Sequence, residues 1–167
     1  EFQHATHCIN GVKYEILTNP KSKSQRVILQ LHGGGFKVPL IDTYRRLSEK
    51  YIRLFSASKV ISVDYRTYPE YQLPTQMHDV VTVYRHLLSE GIEAKNIIFI
   101  GDSAGATLTL TSALYMRDNS FPLPGGIVCF SLWADATSSG ESKIKNAYTD
   151  PFYGIARRKK IEDNLHL

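Results

Sequence analysis

Cysteine, tryptophan and long apolar runs are what this sequence has least of. Its two cysteines, Cys8 and Cys129, stand far apart among 167 residues and fit no metal-ligand spacing. Neither a disulfide framework nor a zinc site can be built on them. Thiols without partners lean toward a reducing compartment, the cytoplasm. Cys129 lies in the apolar run Gly126 to Trp133 and is expected to be a buried, inert thiol. No apolar stretch approaches the ~20 residues that span a bilayer, which excludes a transmembrane helix. Glu1-Phe2-Gln3-His4 lacks the basic-then-apolar pattern of a signal peptide. It also lacks an initiator Met, so the chain is expected to be processed or an excerpt of something longer.

Charge is scarce in excess of either sign. Twenty Lys and Arg against 16 Asp and Glu leave a net charge of +4. The one dense cluster, Arg157-Arg158-Lys159-Lys160, reads as a solvated helix face. No aromatic residues are interleaved with it, so no nucleic-acid partner is expected. The six histidines show no metal spacing. His4 and His7 are expected on a frayed terminus, and His78 and His86 on the polar side of a helix. With 43% hydrophobic residues there is enough apolar material for a real core. There is no internal repeat, low-complexity segment or composition shift, so residues 1–167 are read as one domain.

The pattern along the chain alternates strands and helices. Val12 to Leu17 reads as an antiparallel edge or hairpin strand ending at Asn19-Pro20. Arg26 to Leu31 is a buried strand that stops at three glycines. Asp42 to Phe55 carries Tyr44, Leu47, Tyr51, Leu54 and Phe55 at helical spacing, with Asp42 as a possible N-cap. Lys59 to Tyr65 is a second short apolar strand. Pro74 opens a helix whose Met77, Val80, Val81, Tyr84 and Leu88 line one face, and Gly91 stops it. Asn96 to Ile100 is a third strand, followed by a helix to about Arg117. Gly126 to Leu132 is a fourth strand. From Ala134 onward a polar loop precedes a short helix at Ile155 to Leu165. Strand–helix alternation of this kind predicts an α/β fold, a mostly parallel sheet with helices on both faces.

Two motifs carry chemistry. Gly101-Asp102-Ser103-Ala104-Gly105 matches the G-x-S-x-G nucleophile elbow, and it sits between a strand and a helix-compatible run. Such a turn leaves the serine strained and exposed at a helix N-terminus that favours nearby negative charge. His32-Gly33-Gly34-Gly35-Phe36 follows an earlier strand. Its glycines free backbone N–H groups to converge on one point, as an oxyanion hole requires. A phosphate cradle needs G-x-x-x-x-G-K-[ST] and a dinucleotide loop needs G-x-G-x-x-G; neither is present.

Together these two motifs resemble the hormone-sensitive-lipase-like family of α/β-hydrolases, which includes bacterial carboxylesterases. Asp64-Tyr65-Arg66-Thr67-Tyr68-Pro69-Glu70 is similar to that family's D-Y-R-L-A-P-E stretch, departing at Thr67 and Tyr68. Pro74 with Asp79, Trp133-Ala134-Asp135 and Asn146 to Phe152 are also similar, so the likeness runs over about residues 25 to 165. It implies an α/β-hydrolase fold that hydrolyses small carboxylic esters with no cofactor and no metal. Ser103 is the implied nucleophile. The N–H groups of Gly34, Gly35 and Ala104 form the implied oxyanion hole. His32 is expected to pin its loop rather than act as a base.

The fold's chain order is Ser, then Asp or Glu, then His. After Ser103 the only histidine is His166, and the carboxylates are Asp118, Asp135, Glu141, Asp150, Glu162 and Asp163. The resemblance places the acid after a seventh strand and the histidine after an eighth. Neither strand is legible beyond Leu132, so Asp150 and His166 are read as surface groups. The chain is therefore expected to be truncated at its C-terminus, lacking the last strands, and to turn over short p-nitrophenyl esters very slowly. Its Gly126–Leu132 strand would then be a bare apolar edge open to self-association. Two other functions remain open: a non-catalytic small-molecule receptor on the same scaffold, and an amide-hydrolysing relative such as an arylformamidase.

Overall fold

The computed structural model describes residues 1–135, 137 and 139–155. The chain forms two compact units, Glu1–Trp133 and Ala134–Leu167.

The first unit is built on a six-stranded sheet. In chain order its elements are β1 (Gln3–Ile9), β2 (Val12–Thr18), β3 (Val27–Leu31), α1 (Asp42–Phe55), β4 (Lys59–Asp64), α2 (Thr75–Ser89), β5 (Ile97–Asp102), α3 (Ala104–Asp118) and β6 (Gly126–Phe130). The strand order is β1-β2-β4-β3-β5-β6. The pairs β3–β4, β3–β5 and β5–β6 are parallel, and β1–β2 and β2–β4 are antiparallel. The expected α/β fold with a mostly parallel sheet is present.

Alternation along β3 shows how the layers form. Val27, Leu29 and Leu31 face a core shared with Val80, Val83, Tyr84 and Leu87 of α2 and Leu108 and Met116 of α3. Ile28 points the other way, into a core with Tyr51 and Ile52 of α1 and Ile100 of β5. Helices thus cover both faces, and the apolar strands β3, β4 and β5 are buried on two sides.

Several sequence expectations change. β1 falls on residues expected to fray, so β2 is the hairpin strand of the two readings and lies inside the sheet rather than at its edge. The missed signal is Asn10-Gly11, at φ 50° and 81°, a two-residue hairpin turn that fits the strand twist. His4 and His7, an odd number of residues apart on a strand, lie on opposite faces. His4 Nε2 is 3.1 Å from Glu15 Oε2, and His7 stacks on its cross-strand partner Tyr14 at 5.4 Å. β6 ends at Phe130 rather than Leu132, because Ser131 takes φ 48° and breaks the extended run. Cys129 is half-buried rather than buried, since β6 has a strand neighbour on one side only among the described residues.

Asp42 is the first residue of α1, and Ile41 rather than Asp42 occupies its N-cap position. Pro74 likewise sits at the cap position of α2, one residue before the helix.

In the second unit a short helix, α4 (Glu141–Lys145), occurs where the polar composition reads as loop. The Arg157–Lys160 cluster, His166 and most of the expected Ile155–Leu165 helix lie outside the described residues. Among the described residues no helix is long and apolar enough to cross a membrane, and no group of three metal-ligating side chains gathers.

Candidate active site

The site lies where the parallel strands β3 and β5 end side by side, with Leu31 paired to Gly101. Open α/β sheets bind ligands at this carboxyl edge.

Ser103 joins β5 to α3 in one residue, at φ 52° and ψ −121°. A non-glycine residue in that region is strained and persists only where its surroundings over-determine it. The surroundings here do so. The Ser103 N–H donates to Phe130 O at 3.0 Å, and Thr107 N–H donates to Ser103 O at 3.1 Å. Around it, helix and strands come too close for side chains. A Cβ on Gly101 would lie 2.3 Å from Gly105 O, and one on Gly105 would lie 2.0 Å from Leu31 O. The glycines two residues before and after Ser103 are therefore contact requirements: backbone meets backbone. Ser103 is half-buried, and Ala104 opens the first turn of α3, whose leading N–H groups have no intrahelical acceptor.

The triple-glycine segment follows β3. Gly34 and Gly35 take φ 110° and 62° and are exposed. Gly33 is buried against the elbow: a Cβ there would sit 2.5 Å from Asp102 Oδ2. The loop closes on itself through Lys37 N–H and Val38 N–H donating to Gly34 O, and Tyr68 N–H donates to Phe36 O at 2.8 Å. Leu40 N–H donates to Asp64 Oδ1 at 3.0 Å, which fixes the loop's return. The structure thus brings the two glycine motifs together.

His32 is fully buried. Its ring stacks on Tyr65 at 4.0 Å, and its Nδ1 lies 2.9 Å from Gly33 O. Burial pushes its pKa below the ordinary histidine value, so it stays neutral. It pins the loop, as expected. Beside it, Arg66 N–H and the Arg66 guanidinium both bind the fully buried Asp79 carboxylate, locking the segment after β4 onto α2. Phe36 and Trp133 place their rings 6.1 Å apart over the same edge, and Thr107 Oγ1 donates to Trp133 O at 2.8 Å.

Of the carboxylates after Ser103, Asp118, Asp135 and Glu141 are exposed, whereas Asp150, expected at the surface, is half-buried. Asp118 pairs with Arg117, and Glu141 with Lys145. Asp135 accepts from Thr137 N–H and Ser139 N–H, both at 2.8 Å. Asp150 Oδ1 accepts from Tyr153 N–H and Phe152 N–H, which hold its pKa below the usual carboxylate value. Glu162 and Asp163, like His166, are outside the described residues.

Sequence reasoning missed Tyr44. Its hydroxyl stands between Gly33 N–H, at 2.7 Å, and Asp102 Oδ2, at 3.0 Å. Helical periodicity marks Tyr44 only as an apolar-face residue, and nothing in the spacing foretells that partnership.

Fold and site together define a hydrolase scaffold. Residues 28–164 match the family described as alpha/beta hydrolase fold, and the chain belongs to that family. It is similar to an acetyl-hydrolase of Streptomyces hygroscopicus, 36% identical over 74% of this chain and 41% of that protein. It is also similar to an esterase of Acinetobacter venetianus, 33% identical over 87% of this chain and 47% of that one. Among solved structures, an esterase from the bacterial hormone-sensitive lipase family matches with TM-score 0.83 and 34% identity. That match covers 96% of this chain and 54% of the other, in line with the family likeness read from the two glycine motifs. The chain spans about half the length of the relatives it matches.

Proposed function

We propose that this chain carries the nucleophile and oxyanion hole of a serine hydrolase acting on small carboxylic esters. The observation that carries this reading is the Ser103 backbone, at φ 52° and ψ −121° on a strand-to-helix turn beside the triple-glycine loop. Relatives named esterase and acetyl-hydrolase support it.

In the proposed reaction Ser103 Oγ attacks the ester carbonyl carbon. The carbonyl oxygen becomes an oxyanion, held by the N–H groups of Gly34, Gly35 and Ala104. Donors of this type are worth ~3–4 kcal/mol each to the transition state. Collapse expels the alcohol and leaves an acyl-serine, which water then cleaves to the carboxylic acid. Gly33 is not a donor in this scheme, because its N–H is committed to Tyr44. A general base must take the Ser103 proton; Asp150 is engaged in capping Phe152 and Tyr153.

Residues 1–167 are proposed to form part of a single hydrolase domain working in the cytoplasm. The sheet edge at β6 exposes Ile127 and Phe130 and supports self-association. The test is hydrolysis of p-nitrophenyl acetate. Slow turnover that disappears in Ser103→Ala is expected. Turnover equal in the two proteins would refute the assignment, and saturable ester binding without turnover would favour the receptor alternative.

A further inference from the structure

A glycine run has no side chains to hold it, so something else must set the direction of its amides. In this structure the peptide unit between His32 and Gly33 is gripped at both ends. Tyr65 O–H donates to its carbonyl, His32 O, at 2.7 Å. Its N–H donates to the Tyr44 hydroxyl oxygen at 2.7 Å. Tyr44 passes its own proton to Asp102 Oδ2 at 3.0 Å, and Asp102 immediately precedes Ser103. Burial and the neighbouring Asp102 push the Tyr44 pKa up to about 12, which keeps that proton on the phenol.

Tyr44 is anchored in turn. Its carbonyl accepts from Gln30 Nε2 at 3.2 Å and from Ser48 Oγ at 3.0 Å. Gln30, Ser48 and Ser62 form a buried polar cluster between β3, α1 and β4. Such networks are costly if half-satisfied and fix one geometry when complete. A phenylalanine at position 44 would fill the same space and keep these carbonyl bonds, but would lose the hydroxyl's bonds to Gly33 N–H and Asp102, so the hydroxyl has work that packing does not explain.

We infer that Tyr44 is a positioning residue that ties the oxyanion loop to the nucleophile elbow through the relay Gly33 N–H to Tyr44 O–H to Asp102. The inference rests on the proposed hydrolase reading, because it assigns the relay a purpose: aiming Gly34 and Gly35 N–H at the oxygen bound beside Ser103. A misplacement of ~1 Å in such donors costs up to about a hundredfold in rate.

The test uses the full chain and an alkyl fluorophosphonate, which forms a bond from Ser103 Oγ to phosphorus and expels fluoride. Tyr44→Phe is expected to lower the maximal labelling rate about tenfold or more, with the half-saturating probe concentration little changed and the melting temperature lowered by roughly 2–12 °C, since the buried Gly33 N–H loses its acceptor. Gly33 N–H should exchange with deuterium faster while the β3 and β5 amides do not. Asp102→Ala should show the same loss, and Asp102→Asn, which keeps an acceptor for Tyr44, should recover most of it. If Tyr44→Phe labels at the wild-type rate, the relay is overturned. If Tyr44→Phe does not fold, the Asp102 pair decides alone: equal loss in Ala and Asn overturns the relay. If the wild-type chain is labelled no faster than Ser103→Ala, the hydrolase reading itself fails, and the relay's purpose falls with it.

Discussion

Gly105→Ala tests how tightly α3 is pressed onto β3. The added methyl would stand 2.0 Å from Leu31 O and 2.6 Å from His32 O, both backbone atoms. Real Cβ contacts do not fall under 3.0 Å, so helix and strand must part by about 1 Å. Overpacking of this kind costs ~1–3 kcal/mol, which for a domain of this size is roughly 2–12 °C in melting temperature. Gly125→Ala is the control. Its methyl would stand 2.0 Å from Lys95 O, where the loop before β6 meets the chain entering β5, away from Ser103. Both variants should lose similar stability in thermal unfolding. Only Gly105→Ala should also slow fluorophosphonate labelling, by about tenfold to a hundredfold, because Ala104 N–H and the triple-glycine loop separate. A Gly105→Ala protein that melts and labels like wild type would refute the close-contact argument. Equal labelling loss in both variants would show a general effect of instability.

Asp79→Ala should destabilise the chain by about 2–4 kcal/mol in urea unfolding, since it strands Arg66, whose side chain is 35% exposed and so partly solvated. Stability should fall as pH drops below ~6.5, because the unfolded chain then protonates His32 while burial holds the folded histidine neutral; the slope reaches up to ~1.4 kcal/mol per pH unit. His32→Gln should flatten that part of the profile, and an unchanged slope between pH 7 and 5 would contradict it. Ile127→Lys, on the exposed edge strand, should move sedimentation at high concentration toward monomer.

What the sequence discloses here is local. Short apolar runs place β3, β4 and β5, and the 3.6-residue period places α1 and α2, because burial on a known number of faces writes itself into composition. The elbow glycines are legible because Gly101 and Gly105 meet backbone at the strand-to-helix turn, and the triple-glycine segment because Gly34 and Gly35 take φ 110° and 62°, which side chains rarely adopt. β1 escapes notice because its side chains are mostly exposed and polar, Gln3, His4 and Thr6 among them; only the Asn10-Gly11 turn betrays it. Tyr44, Asp102 and the Gln30–Ser48–Ser62 cluster are illegible for a different reason. Their partners lie 11 to 58 residues away, and a hydrogen bond at that range leaves no period in the chain.

Peptide mapping by mass after exposure to a fluorophosphonate tests the central claim most directly. A single adduct is expected, on Ser103, that is lost in Ser103→Ala and lost again when the chain is unfolded before exposure. An adduct on another residue, or an intact chain left unmodified at saturating probe, would contradict it.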